Sequence, residues 1–338
     1  MSQLKEIMSQ KVVTLGEVLM RLTVPNNKRL FQTVNFDVTF GGSEANVGVS
    51  LAHFGLKATH ITALPHNDLG ERVSRFLKLN GVSNKGVVRK EGRLGIYYLE
   101  SGAMQRPSRI VYDRFDTTFG DLDESEVNWD LVFKGADWFH YSGITPAISQ
   151  KAADVTLRAL KEARKRGIST SGDINYRRNL WQYGKQPLEI MPSLVQLTDV
   201  VVGGRVDLEN CLGIVHEDWQ TNCKMVQDKY PHIKVFSKTI RNAMSASRNE
   251  LAAVLFKDGK MFTSKTYEMK NIVDRIGGGD AFMAGLIYGL LNLDEQQTIE
   301  FAIAASVLKH STIGDVNLSS KEEVEELVSG NSVGRLLR

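Results

Sequence analysis

Short apolar runs alternate with longer amphipathic stretches along most of the chain, and this alternation predicts strands and helices in turn. Val12-Val13-Thr14-Leu15 reads as a first strand ending at Gly16-Glu17. Ser43 to Phe54 reads as a helix stopped by Gly55, and Thr59 to Ala63 as the next strand. Asp68 is placed to cap a helix that sets Leu69, Val73, Phe76 and Leu77 on one face and stops near Gly81. Trp138-Phe139-His140-Tyr141 is a strand. Gln150 to Arg166 is a helix rich in Ala, Leu, Lys and Arg, with Gly167 as its C′ residue. Ile168 to Ile174, Val200-Val201-Val202 and Val235-Phe236-Ser237 add further strands. The order implies an α/β fold with a mostly parallel central sheet between helices.

Two regions break the rhythm. Arg21 to Phe40 and Gly95 to Phe119 lack long helical patterns and are rich in β-branched and aromatic residues. They predict a small sheet, a lid, over the strand C-termini, the edge at which open α/β sheets bind ligands. The plainer reading is a pair of surface hairpins with no role in binding. No internal repeat, low-complexity segment or linker interrupts the chain. One domain is therefore expected over residues 11–320, with the lid segments at about 21–40 and 95–119 inserted and terminal extensions at 1–10 and 329–338.

Composition narrows the class. The 338 residues suffice for one large α/β domain, and 42% hydrophobic with 24% charged residues describe an ordinary globular protein. A net charge of +3, with no basic run carrying interleaved aromatics, argues against nucleic acid or an acidic membrane as partner. Two cysteines, Cys211 and Cys223, are too few for a disulfide framework and are not spaced as zinc ligands. Met1 to Lys11 lacks the apolar core of a secretory signal, and Ala281 to Leu291, broken by Gly285 and Gly289, is too short to span a bilayer. A cytoplasmic protein is expected.

The most informative stretch is Asp274-Arg275-Ile276-Gly277-Gly278-Gly279-Asp280. It lies between Asn271-Ile272-Val273, which reads as extended, and an apolar helix from Ala281. Glycines at a helix start let the backbone approach a ligand, and the free N–H groups there favour an anion. A carboxylate ending the loop can take a proton from an alcohol that attacks a phosphate. The arrangement suggests phosphoryl transfer to a hydroxyl. It is neither a Walker A loop nor a dinucleotide fingerprint, since neither Gly-Lys-Ser/Thr nor Gly-x-Gly-x-x-Gly with a downstream acid is present. A tight strand-to-helix turn is the structural alternative.

Gly41-Gly42-Ser43-Glu44-Ala45-Asn46 forms a second small-residue approach to a helix, where Asn46 can both donate and accept toward vicinal hydroxyls. A third set is Tyr97, Tyr112, Arg114 and Arg177. Tyr112 and Arg114 lie one residue apart, so in a strand they share a face. Arginines in such places are usually solvated. Two aimed at one pocket would favour an anionic substrate group.

Gly41-Gly42 with Asn46, and Asp274-x-x-Gly-Gly-Gly-Asp280, resemble the paired signatures of the ribokinase-like (PfkB) sugar kinases. The resemblance runs from about Val12 to Ser320 and implies a three-layer sandwich with a small β-sheet lid. Gly95-Ile96-Tyr97, Tyr112-Asp113-Arg114, Asp173-Ile174-Asn175-Tyr176-Arg177 and Lys309 to Asp315 make the chain most similar to 2-keto-3-deoxygluconate kinases within that family. The resemblance implies ATP-dependent phosphorylation of the terminal hydroxyl of a keto-sugar acid, giving 2-keto-3-deoxy-6-phosphogluconate, with Mg²⁺ accompanying ATP. It makes Asp280 the base and the Gly277, Gly278 and Gly279 amides the anion hole. Gly42, Asn46, Tyr97, Tyr112, Arg114, Arg177 and Asp280 would hold the sugar acid. Asn175, Thr239, Arg241, Gly277, Gly279 and Ala304 would meet the nucleotide. A homo-oligomer paired through the lids is expected.

The chain departs from the family at two places. Gly204-Arg205-Val206-Asp207 stands where most relatives carry Asn-x-x-Glu, associated with magnesium and phosphate, so the metal ligands are left unassigned. Arg275 replaces a threonine common beside the first Asp, near a monovalent-cation site in the family, and offers a positive charge near the phosphates. Two alternatives stand beside the leading reading. One is a kinase for another sugar such as fructose, which would gain less from the arginines. The other is a non-catalytic sugar-acid or nucleotide sensor, which has no need of Asp280.

Overall fold

The first apolar run becomes the middle of a large sheet because it is buried on both faces. In the computed structural model, which describes residues 10–330, it forms β1 (Lys11–Leu15). The next elements are β2 (Leu19–Thr23), β3 (Asp37–Gly41), α1 (Ser43–His53), β4 (Lys57–Pro65), α2 (Asp68–Leu79) and β5 (Val82–Lys90). β6 (Ile96–Glu100), β7 (Arg109–Asp113), α3 (Trp129–Phe133), β8 (Trp138–Ser142), α4 (Gln150–Lys165) and β9 (Ser169–Asp173) follow. Then come α5 (Pro187–Val195), β10 (Val200–Val202), α6 (Arg205–Leu212), α7 (Trp219–Lys229) and β11 (Val235–Ala243). The chain closes with β12 (Arg248–Lys257), β13 (Lys260–Thr263), β14 (Tyr267–Lys270), α8 (Gly278–Asn292), α9 (Glu295–Lys309) and α10 (Lys321–Ser329).

The large sheet runs β13-β12-β11-β10-β9-β8-β1-β4-β5, with β14 also paired to β12. From β11 to β5 every pairing is parallel, whereas β12, β13 and β14 add an antiparallel edge. Alternate residues of one strand feed two cores. Val13 and Leu15 join Phe139 and the apolar faces of α4 and α5, while Val12 joins Trp138 and the faces of α8 and α9. Both cysteines are free and buried. No helix among the described residues is long and apolar enough to cross a membrane.

The two irregular regions supply a separate four-stranded sheet, β3-β2-β6-β7. Three local readings change. Strand β14 ends at Lys270, and Asn271 turns the chain with φ 61°, so the segment before the glycine loop is not a strand. Asn67, not Asp68, caps α2, its side chain accepting the Gly70 amide. β7 ends at Asp113, so Arg114 lies just beyond the strand instead of sharing its face with Tyr112. The terminal extensions read from sequence fall almost wholly outside the described residues.

Candidate active site

A cavity of about 520 Å³ opens at the carboxyl ends of β1, β8 and β9, between them and the small sheet. Glu17, Thr145 and Asp173 reach it from the strand ends, and Leu19, Tyr97 and Tyr112 from the small sheet. Gly277 and Gly279 lie in its wall.

Gly277 must be glycine for two reasons. Its φ is +83°, and a Cβ there would sit 1.7 Å from the Asp315 carbonyl oxygen. The Gly277 turn starts α8, and the Gly278 amide donates to the Arg275 carbonyl at 3.4 Å. The amides of Gly277, Gly279 and Asp280 have no acceptor among the described residues. A helix N-terminus with open amides in a cavity wall attracts an anion. Asp280, in the first turn of the same helix, stands beside them.

The first turn of α1 meets that of α8 across this carboxylate. Asp280 Oδ1 accepts the Ser43 hydroxyl at 2.9 Å, and Oδ2 accepts Asn46 Nδ2–H at 2.7 Å. Asn46 Oδ1 in turn accepts the Gly42 amide at 3.2 Å. Asn46 is therefore already engaged in aiming the carboxylate. Gly42 is needed for close approach, since a Cβ would come within 1.9 Å of the Glu17 carbonyl oxygen. Burial raises the Asp280 pKa to about 6, against the lowering effect of its bonds to Asn46 and Ser43.

The charges around the cavity do not cancel. Five carboxyls line it, Glu17, Glu44, Asp173, Asp280 and Asp315, against four arginines, Arg114, Arg177, Arg241 and Arg275. Arg114 donates through Nε and Nη2 to Glu17 Oε2, at 3.0 and 2.7 Å. Asp315 accepts from Arg21 at 2.8 Å and from the Tyr97 hydroxyl at 2.6 Å. Burial raises Asp173 to about 8 and Glu44 to about 7, so Asp173 holds its proton at neutral pH and Glu44 about half of it. Arg177, Arg241 and Arg275 have no carboxylate partner among the described residues. Burial, then the charges of Arg275 and Arg177, lower the Arg241 pKa, which places the three guanidiniums near one another. Arg275 is held by the carbonyls of Ala246, at 3.0 Å, and Ser245. These three guanidiniums give one side of the cavity a positive patch that can attract an anion.

Most of the residues singled out from sequence converge here: Gly42, Asn46, Tyr97, Tyr112, Arg114, Asn175, Arg177, Arg241, Gly277, Gly279 and Asp280 all line the cavity. Three do not. Ala304 is fully buried in the core behind α8, outside the cavity wall. Thr239, on β11, pairs with Ala253 of β12 and lies outside the cavity wall. Gly278 is buried, with its carbonyl taking the Ser306 hydroxyl at 2.8 Å. Two others are less free than expected. The Arg114 charge is matched by Glu17, and the Tyr97 hydroxyl is committed to Asp315.

The sequence reading passed over Glu17, Glu44 and the buried ion pairs of Arg21 with Asp274 and Asp315. A visible signal existed for Glu17, an acid directly after an apolar strand. None existed for Arg21, whose partners lie 253 and 294 positions further along the chain.

No cluster of three His, Cys, Asp or Glu side chains among the described residues could hold a metal ion. Asp207 is engaged by the backbone, its Oδ1 accepting the Tyr176 amide at 2.9 Å and its Oδ2 the Gly204 amide at 2.8 Å. A magnesium ion here would rest mainly on phosphate oxygens and water, as that ion commonly does.

The profile described as pfkB family carbohydrate kinase matches residues 9–322. The crystal structure of 2-dehydro-3-deoxygluconokinase from Thermotoga maritima superposes with a TM-score of 0.90 at 41% identity, covering 95% of this chain and 98% of that one. A 2-dehydro-3-deoxygalactonokinase from Haloferax volcanii is 29% identical, over 97% of this chain and 99% of its own length. A 5-dehydro-2-deoxygluconokinase from Bacillus subtilis is 25% identical, over 95% of this chain and 96% of its own. With the glycine loop, its carboxylate and the small sheet assembled at one strand edge, these matches show that the chain belongs to the pfkB family of carbohydrate kinases.

Proposed function

We propose that this chain phosphorylates the terminal hydroxyl of a keto-sugar acid with ATP, 2-keto-3-deoxygluconate first, yielding its 6-phosphate. The observation that carries the reading is the set of unpaired arginines, Arg177, Arg241 and Arg275, facing the same cavity as the open α8 amides and Asp280. A sugar acid brings a carboxylate and ATP a polyphosphate. Both find charge-assisted donors there. The Thermotoga and Haloferax relatives bear the names of kinases for this substrate class.

In this reading Asp280, poised near neutral pH, accepts the proton of the sugar hydroxyl as its oxygen attacks the γ-phosphorus. The new P–O bond forms as the bond to ADP breaks, and ADP leaves with that electron pair. The Gly277, Gly279 and Asp280 amides stabilise charge on the transferring phosphoryl oxygens. Ser43 and Asn46 hold the base in orientation. Magnesium, carried by the nucleotide, would neutralise phosphate charge. The reaction is placed in the cytoplasm, where ATP is supplied.

The test is ADP formation with a panel of sugar acids and ketoses, for the wild type and Asp280→Asn. The acid 2-keto-3-deoxygluconate should be preferred over fructose, and the substitution should cut turnover by about 10²–10⁴-fold while sugar binding persists. Equal kcat/KM for fructose removes the sugar-acid assignment. Undiminished turnover in Asp280→Asn removes the base.

A further inference from the structure

Behind the glycine loop lies a charged group that the proposed mechanism does not use. Lys309, the last residue of α9, is fully buried, and its Nζ donates to the Thr312 carbonyl at 3.2 Å. It makes no direct ion pair among the described residues, although the charges of Asp274, Asp315 and Asp280 all act on it. Its Cε would lie 3.3 Å from a Cβ on Gly277, so the side chain runs directly beneath the turn that opens the α8 amides. Burying an ammonium with one acceptor is costly: burial lowers the Lys309 pKa, and the nearby carboxylates of Asp274, Asp315 and Asp280 oppose that shift.

The neighbouring carboxylate is equally committed. Asp274 Oδ1 accepts the Ile276 amide at 3.0 Å, and its Oδ2 accepts Arg21 Nη2–H at 2.5 Å and the Gly314 amide at 3.1 Å. The acceptors around Asp274 that a monovalent cation could use are its carboxylate, the His310 carbonyl, which already accepts the Val273 amide at 2.9 Å, and the Thr312 carbonyl. The carboxylate already holds three N–H donors, one of them cationic, and the Thr312 carbonyl holds the Lys309 ammonium. The donor set does not fit a dissolved monovalent cation.

We infer that Lys309, seconded by Arg21, is a tethered cation that holds the Asp274–Asp315 side of the glycine loop and makes this chain independent of dissolved monovalent cations. Lys309 is a positioning residue, because it acts through the backbone of Gly277 and touches no reacting atom. The inference rests on the phosphoryl-transfer reading of the site and extends it to the ion requirement.

The test uses the full chain in buffers of K⁺, Na⁺ or tetramethylammonium, with NH₄⁺ added for the variant, at one ionic strength of about 0.1 M, so that screening is constant. ADP formation is read directly by chromatography, and melting temperature is read in parallel without substrate. The wild type should give the same turnover and the same melting temperature in all three salts. A methionine side chain ends one atom short of the ammonium position. Lys309→Met should therefore lose turnover on the order of tenfold in tetramethylammonium, the scale of one charge-assisted hydrogen bond. It should recover with K⁺ or NH₄⁺ and gain a melting temperature that rises with those ions.

Activation or stabilisation of the wild type by K⁺ over tetramethylammonium overturns the inference, and this arm holds even if the variant does not fold. A variant whose loss no small cation restores also overturns it, since that is a packing defect. Absence of ADP formation with every sugar acid in every salt would instead reject the substrate reading, while the melting measurement still reports on the cation.

Discussion

Arg21 and Arg114 carry the same guanidinium as Arg177, Arg241 and Arg275, and the fold uses the two sets in opposite ways. The first two are buried, and each meets carboxylates within its own network: Arg21 with Asp274 and Asp315, Arg114 with Glu17. They tie the small sheet, the first strand end and the glycine loop together, and their charge is neutralised inside the protein. The other three line the cavity and make no direct ion pair with a carboxylate among the described residues. A charge balanced within the fold builds the cavity, and a charge left unbalanced determines what the cavity attracts.

Removing a buried guanidinium gives the largest expected effect. Arg21→Met leaves Asp274 and Asp315 buried without their counter-charge and should lower stability by about 3–5 kcal/mol, read from urea unfolding. A variant as stable as the wild type would show that Arg21 is not structural and would erase the distinction between the two sets.

The reverse outcome is expected on the open side. Arg177→Met, at an exposed position, should change stability by no more than about 0.5 kcal/mol. Its KM for the sugar acid or for ATP should rise by about 10- to 100-fold, the cost of one hydrogen bond to a charged group. Which of the two KM values moves identifies the anion Arg177 meets. Destabilisation on the scale of Arg21→Met would break the comparison from the other end.

Smaller effects come from the acids that burial has silenced. Asp173 has a folded pKa of about 8 against an ordinary 3.8, so the folded state keeps a proton that the unfolded chain releases. Its contribution is therefore most favourable at low pH and declines as pH rises from 3.8 to about 8. Asp173→Asn has no such proton, and its melting temperature should gain on the wild type at the upper end of that window. Identical pH slopes in the two proteins would show that Asp173 ionises freely. Turnover should follow a different group, falling as pH drops through about 6, where Asp280 takes up the proton that disables it as a base.

How much of this was legible in the sequence depended on whether the signal was local. The glycine run, Asp280, and the alternation of strands and helices are local patterns, so β1, β8, β10 and α4 fell within a residue or two of their predicted places. The strand-like reading of Asn271 to Val273 failed because Asn271 adopts a left-handed backbone that composition does not announce. Arg114 and Tyr97 were marked as ligand-binding residues, but their availability depends on Glu17 and Asp315, distant in sequence and adjacent only in the fold.

The sequence by itself determined the α/β order, the position of the glycine turn and the acid beside it. These follow from backbone periodicity and from what glycine alone permits. Only the tertiary structure decided which arginines remain charged toward the cavity, which acids keep their protons, and that Lys309 lies beneath the loop. The reason is physical: the effective charge of a side chain is set by burial and by its partners, and both belong to the folded chain.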